Sequence, residues 1–138
     1  MVKRAAGFLV FRILNNQIEY LLLRASYGIR HWSPPKGHVD PGEDDFTTAL
    51  RETKEEAGYS DLDLKIYTNE TMTLKYDVDG VPKSVIYWLA ELVNPCKNPV
   101  LSDEHTEYKW LPKNEAKELA KFKDFQDLID FFHDKINK

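Results

Sequence analysis

The chain has 138 residues, of which 42% are hydrophobic and 30% charged, a balance typical of one globular domain over residues 1–138. Its 19 basic and 23 acidic residues give a net charge of −4, which disfavours a general nucleic-acid binder. No apolar run approaches the roughly 20 residues that cross a bilayer, so we expect no membrane partner. The single cysteine excludes an intrachain disulfide and favours a cytoplasmic location.

The first half of the chain predicts two strands, a long loop and a helix. Short apolar segments at 5–14 and 19–25 predict strands joined by a turn. The loop at 26–42 follows, and a loop of that length inside a compact domain is often functional. Residues 43–57 predict a helix that ends at Gly58, because glycine is the preferred residue just after a helix.

The second half predicts strands followed by two helices. The predicted strands lie at 62–68, 70–77, 83–93 and 106–111, and the helices near 113–121 and 124–136. Strands and helices do not alternate regularly, so the pattern predicts an α/β fold with a mixed sheet between helices. Apolar residues recur at helical spacing in the terminal helices and predict core packing: Leu119, Phe122, Phe125, Leu128, Ile129 and Phe132.

The predicted helix at 43–57 has an apolar face and an acidic face. At 100° per residue, the residues of the core face are Phe46, Ala49, Leu50, Thr53 and Ala57. Glu52, Glu55 and Glu56 share a neighbouring arc. Arg51 lies one turn before Glu55, at the spacing of a supporting ion pair.

Residues 40–56 contain seven acidic and two basic residues, so this segment alone has a charge of −5. Two carboxylates about 6 Å apart repel by roughly 3 kcal/mol at an effective dielectric constant of 20. The negative end of the helix dipole adds to this repulsion. A divalent cation would relieve it, and oxygen ligands favour Mg²⁺, Mn²⁺ or Ca²⁺ over zinc. A solvated charged face is the alternative that the cluster itself leaves open.

The spacing of seven residues across 37–59 resembles the Nudix box. They are Gly37, Glu43, Arg51, Glu52, Glu55, Glu56 and Gly58. Thr53 and Tyr59 depart from the bulky aliphatic residues of that pattern, which affects packing and not chemistry. The resemblance implies a Nudix-type α/β/α sandwich. It also implies hydrolysis of a nucleoside diphosphate linked to another moiety, by attack of water on phosphorus.

The same resemblance implies roles for the box residues. It implies binding of Mg²⁺, with Mn²⁺ as a substitute, by Gly37, Glu52, Glu55, Glu56 and Glu104. The four glutamates are also the predicted catalytic residues, and the general base is left open between Glu55 and Glu104. Arg51 is expected to orient the glutamates through an ion pair.

Segments 31–43, 85–90 and 102–111 are similar to animal-type hydrolases of diadenosine tetraphosphate (Ap4A), a group within this family. The resemblance implies asymmetric hydrolysis of Ap4A and related dinucleotides to ATP and AMP, by an enzyme that we expect to be monomeric. ADP-ribose is the alternative substrate, because one adenine platform and one diphosphate clamp would suffice for it. A sensor without catalysis and a pure interaction module are disfavoured by the intact glutamates.

The dipeptide Asp-Gly at 79–80 predicts a two-residue hairpin that places Tyr76 opposite Lys83. Strand alternation then puts Tyr76, Lys83 and Tyr87 on one face, where they would stack an adenine and bind phosphate. Pro82 argues against this register, because proline fits only an edge strand. An ordinary exposed face is the alternative.

The loop before the acidic helix supplies further candidates for substrate binding. Tyr27, His31 and Lys36 lie there, and a polyphosphate beside the metal ions would meet them. For His31 the alternative is a structural hydrogen bond. Trp32 is left open between a core position and a platform for a base.

Overall fold

A mixed sheet of seven strands forms the centre of the computed structural model, which describes residues 3–26 and 31–137. The strands are β1 (Lys3–Leu14), β2 (Gln17–Ala25), β3 (Trp32–Ser33), β4 (Lys36–His38), β5 (Leu64–Val78), β6 (Val81–Leu92) and β7 (His105–Leu111). The helices are α1 (Asp45–Ala57), α2 (Lys113–Ala120) and α3 (Lys123–Ile136), with a short 3₁₀ turn at Asp61–Asp63. Within the described ranges, none of the helices is long and apolar enough to span a membrane.

Strand β1 lies in the middle of the sheet, whose order is β3-β2-β1-β6-β5. It runs parallel to β6 and antiparallel to β2 and β4, and β7 pairs with β2. Both faces of β1 are covered, so its residues from Phe8 to Phe11 are all fully buried.

The two faces of the sheet bury separate cores. Leu9 and Phe11 point to the core formed with α2 and α3, whereas Phe8 and Val10 point to the core formed with α1. This α/β/α sandwich confirms the predicted fold class.

Helix α1 begins two residues later than predicted because Asp44 is its N-cap. The Asp44 carboxylate accepts a 2.7 Å hydrogen bond from the amide of Thr47. At the other end Gly58, with a φ of 76°, donates its amide to the carbonyl of Lys54 at 3.0 Å. The predicted core face is confirmed, with Ala49, Thr53 and Ala57 buried and Phe46 and Leu50 packed beside them.

Two further features of the strands differ from the prediction. The strands predicted at 62–68 and 70–77 form one strand, β5, which remains continuous through a register irregularity between Tyr67 and Thr71. The long loop at 26–42 contains the short strands β3 and β4, which sequence periodicity missed because two or three residues show no alternation.

The β5–β6 hairpin has the predicted register, with Tyr76 opposite Lys83. Asp79 and Gly80 both have positive φ values, 51° and 79°, as a type I′ turn requires. Pro82 lies opposite Asp77, one pair away from the turn. The two residues of such a pair do not hydrogen-bond to each other in an antiparallel ladder, so the missing N–H of proline is tolerated there. In addition, the described pairing of β6 with β1 begins only at Lys83.

Candidate active site

A cleft of about 350 Å³ opens where β4, the C-terminal part of α1 and the segment before β7 meet. It brings together eight of the predicted site residues: His31, Lys36, Gly37, Arg51, Glu52, Glu56, Lys83 and Glu104. Glu55, Tyr76 and Tyr87 are not in its lining, and Tyr27 lies outside the described residues. The cleft therefore combines carboxylates from α1 with basic residues from β4 and β6.

Strand β4 lies directly against the acidic face of α1. The amide of Lys36 donates to the Oε1 atom of Glu56 at 3.0 Å. At Gly37, an added Cβ atom would overlap the carboxylate of Glu52. The glutamate can therefore keep this position only if residue 37 has no side chain. The spacing of the Nudix box thus places a backbone segment against two of its glutamates.

Burial shifts the pKa values of these two glutamates upward. Glu56 is only 6% exposed, and burial raises its pKa to about 8. Burial, with a further contribution from the neighbouring Glu55, raises the pKa of Glu52 to about 7. Each carboxyl therefore holds a proton more tightly than in water, as expected when desolvated carboxylates lie close together.

The raised pKa of Glu56 predicts a loss of stability of the metal-free protein with rising pH. The pKa of this carboxyl is near 4.5 in the unfolded chain and about 8 in the folded protein. Its contribution to stability is therefore complete below pH 4.5 and is lost as the pH rises through 8. We expect the melting temperature in EDTA to fall between pH 6 and pH 9. Glu56→Gln should reduce this fall, and an equal fall in the variant would contradict the assignment.

Arg51 of α1 connects this helix to the segment before it through hydrogen bonds. Its guanidinium donates to both carboxylate oxygens of Glu43, at 2.8 and 2.9 Å, and to the carbonyl of His38 at 3.1 Å. Hydrogen bonds to the Glu43 carboxylate, first from Arg51 and then from Thr48, lower the pKa of Glu43 to about 2. Arg51 also lies 3.2 Å from Glu52 and 3.4 Å from Glu55, so it contacts the acidic cluster from the side.

Arg51→Lys is expected to lower the melting temperature by about 3–5 °C and kcat/KM by about tenfold. Lysine retains the charge but loses the planar pair of donors that Glu43 accepts. Thermal melts and steady-state kinetics test this. Arg24→Lys is the matched control, because the Arg24–Glu107 pair is solvent-exposed and should leave both quantities nearly unchanged.

The donor chemistry of the cleft fits a hard divalent cation. The buried Glu56 and the partly buried Glu52 supply carboxylate oxygens at the cleft, and Gly37 lies directly against Glu52. Glu55 is exposed with its carboxylate beside Arg51, and Glu104 is exposed at the cleft. Among the described residues, no three His, Cys, Asp or Glu side chains already form a closed metal-binding group.

Three histidines from different parts of the chain line the cleft, of which sequence reasoning found only His31. The others are His38 and His105. Burial, chiefly, lowers the pKa of all three, and the charge of Lys36 contributes at each ring. Each ring therefore gives up its proton more readily than a histidine in water. Their spacing along the chain gave no signal, because only the β2–β7 and β1–β4 pairings bring their segments together.

A second groove, of about 480 Å³, adjoins the cleft at Lys83 and includes Tyr76. The Lys83 ammonium lies 6.0 Å from the centre of the half-buried Tyr76 ring. Burial and the nearby Lys36 lower the pKa of Lys83. Tyr76 and Lys83 thus retain the arrangement predicted for binding a base and a phosphate.

The stacking role predicted for Tyr87 is wrong in this structure. Its ring is fully buried and meets Phe125 edge-on at 6.5 Å, so neither face is available to a base. Its buried hydroxyl has no hydrogen-bond partner among the described residues. Burial raises the pKa of this hydroxyl well above its usual value, and Glu56 is near enough to add to the shift.

The prediction that Phe122 packs in the core with the other apolar residues of the terminal helices is wrong, because its side chain is 47% exposed. Its ring meets that of His31 edge-on at 5.8 Å, so it lies beside the cleft. Lys121, with a φ of 68°, turns the chain there, and the amide of Phe122 donates to the carbonyl of Ala120 at 2.8 Å. Trp32 belongs to the core, with 9% exposure.

The family model of the NUDIX domain matches residues 3–132, and the chain belongs to this family. Such hydrolases generally need a divalent metal ion. The chain is 48% identical to the asymmetrical bis(5'-nucleosyl)-tetraphosphatases of Caenorhabditis elegans, over 132 residues, and Sus scrofa, over 139. Both alignments cover 96% of this chain and 95% of the relative. A crystal structure of a C. elegans Ap4A hydrolase binary complex superposes with a TM-score of 0.95 at 45% identity, covering 98% of each chain.

Proposed function

We propose that this protein hydrolyses Ap4A and related dinucleoside polyphosphates asymmetrically, giving ATP and AMP. The observation that carries the proposal is the division of charge in the cleft. Glu52 and Glu56 line the cleft from α1, Lys36 lines it from β4, and Lys83 lies where the cleft adjoins the groove of Tyr76. A polyphosphate needs both groups, because its metal ions require oxygen ligands and its own charge requires cations. The relatives' activity supports the same reaction.

Mg²⁺ is the proposed cofactor, with Mn²⁺ as its substitute, and the residues proposed to hold it are Gly37, Glu52, Glu55, Glu56 and Glu104. When bound, such an ion lowers the pKa of water and neutralises phosphate oxygens. The oxygen of water bonds to phosphorus while the bridging P–O bond breaks, and Lys36 and Lys83 offset the charge of the chain. Glu104 is the proposed base, because it lines the cleft whereas Glu55 faces Arg51.

Adenine recognition is assigned to Tyr76, with Lys83 above its ring. The roles predicted for Tyr27 and His31, as contacts of the polyphosphate, are retained in the proposal. Stacking discriminates weakly between purines, so other purine dinucleotides should also react.

Comparison of two substrates tests the proposal against its alternative. We expect kcat/KM for Ap4A to exceed that for ADP-ribose at least tenfold in Mg²⁺, and EDTA to abolish both activities. A preference for ADP-ribose would mean that ADP-ribose, and not Ap4A, is the substrate. Binding of Ap4A without any product would instead indicate a sensor. The monomeric state, the cytoplasmic location and the single domain over 1–138 stay predictions.

A further inference from the structure

A β-bulge lies at the N-terminal end of β7, next to the cleft. Arg24 of β2 pairs with Glu107 of β7, but the next residue, Ala25, pairs with His105. Thr106 is therefore an extra residue on β7. Bulges of this kind redirect side chains and are over-represented beside active sites.

The bulge determines which face of the sheet His105 occupies. In a regular ladder, the partner of Ala25 would be Thr106, and His105 would point to the opposite face. With the extra residue, His105 points to the same side as Tyr108, towards the core of α1. Hydrogen bonds hold the segment there: the amide of Ser26 donates to the carbonyl of Glu104 at 2.9 Å, and the amide of His105 donates to the carbonyl of Ser102 at 3.2 Å.

The two nitrogens of the His105 ring have different surroundings. Nδ1 is buried and has no hydrogen-bond partner among the described residues. The ring lines the cleft, and Nε2, unlike Nδ1, is not among the buried atoms without a partner. A proton on Nδ1 would be a buried donor without an acceptor, which is costly, so the geometry favours the tautomer with its proton on Nε2.

The same geometry argues against metal binding by His105. A metal-bound histidine normally donates its other N–H to a carboxylate, carbonyl or water. No such acceptor meets Nδ1 among the residues that the structure describes. What His105 offers to the cleft is an N–H donor, held beside Glu104 by the bulge.

We propose that His105 is a further substrate-binding residue, which donates its Nε2–H to a phosphate oxygen of the polyphosphate chain. The proposal rests on the proposed function and adds a residue to it. The N–H of this ring would add a hydrogen bond to the phosphate oxygens that Lys36 and Lys83 meet in the same cleft.

Two substitutions and a control test the proposal. His105→Leu removes the donor, and we expect kcat/KM for Ap4A to fall about 10- to 100-fold, mostly through KM. His105→Gln retains an N–H near the position of Nε2 and should stay within about threefold of the wild type. Glu118→Ala, at an exposed position of α2 outside the lining of the cleft, should not change the kinetics. Circular dichroism checks that each variant is folded.

The affinity for Mn²⁺, measured by electron paramagnetic resonance, separates the donor role from metal binding. We expect the same Mn²⁺ affinity in the wild type and both His105 variants. A tenfold weaker affinity, or a His105→Leu variant with wild-type kcat/KM, would overturn the proposal. Failure of the wild type itself to cleave Ap4A would instead refute the proposed function.

Discussion

Glu56→Gln is expected to reduce kcat for Ap4A by about 10³-fold while leaving the fold intact. Glu56 is the most buried of the four predicted catalytic glutamates, and the Lys36 amide orients its carboxylate. Glutamine has nearly the same shape and its carbonyl oxygen accepts the same hydrogen bond. What it lacks is the negative charge that the cation requires.

Because the test concerns the negative charge, the control is the same substitution at a glutamate outside the cleft. Glu118→Gln changes an exposed glutamate of α2 and should leave kcat unchanged. Mn²⁺ titration should show weaker binding only in Glu56→Gln. If Glu56→Gln retained wild-type kcat at saturating metal, the assignment of Glu56 to the metal centre would be wrong.

Gly37→Ala is expected to lower kcat/KM by about 10²-fold, although it adds a single methyl group. The new Cβ atom would overlap the carboxylate of Glu52. That carboxylate ends a flexible side chain, so the side chain can move while the backbone keeps its fold. The melting temperature should therefore change little, whereas the glutamate loses its position in the cleft.

A double-mutant cycle links this effect to Glu52. Glu52→Asp withdraws the carboxylate by one methylene, so its cost in kcat/KM should be smaller in the Gly37→Ala background than in the wild type. Additive losses at the two positions would mean that Gly37 acts on the cleft in another way. Thermal melts of all four proteins exclude unfolding as the cause.

The sequence predicted α1 and its acidic face because both depend on local information. The N-cap aspartate, the glycine after the helix and the 3.6-residue period all lie within the segment that they describe. The β5–β6 hairpin was predictable for the same reason, since its Asp-Gly turn sets the register of Tyr76 and Lys83.

Features that depend on distant segments were missed. The bulge at Thr106 arises only when β7 pairs with β2, so nothing near His105 indicated that it lines the cleft. Tyr87 was placed on the correct face of its strand, but the packing of Phe125 against its ring could not be read from β6. Phe122 had the spacing of a core residue, and the turn at Lys121 places it beside His31 instead.

The most direct measurement is the hydrolysis of Ap4A with Mg²⁺ in ¹⁸O-labelled water, with chromatography of the products and mass spectrometry of the label. The arrangement of charge in the cleft and the family reaction predict ATP and AMP in equal amounts, with ¹⁸O in one of them and a rate about 10³-fold lower in Glu56→Gln. The labelled product would also identify the phosphorus that water attacks. Formation of two molecules of ADP, or no turnover of Ap4A by the folded wild type, would contradict the account.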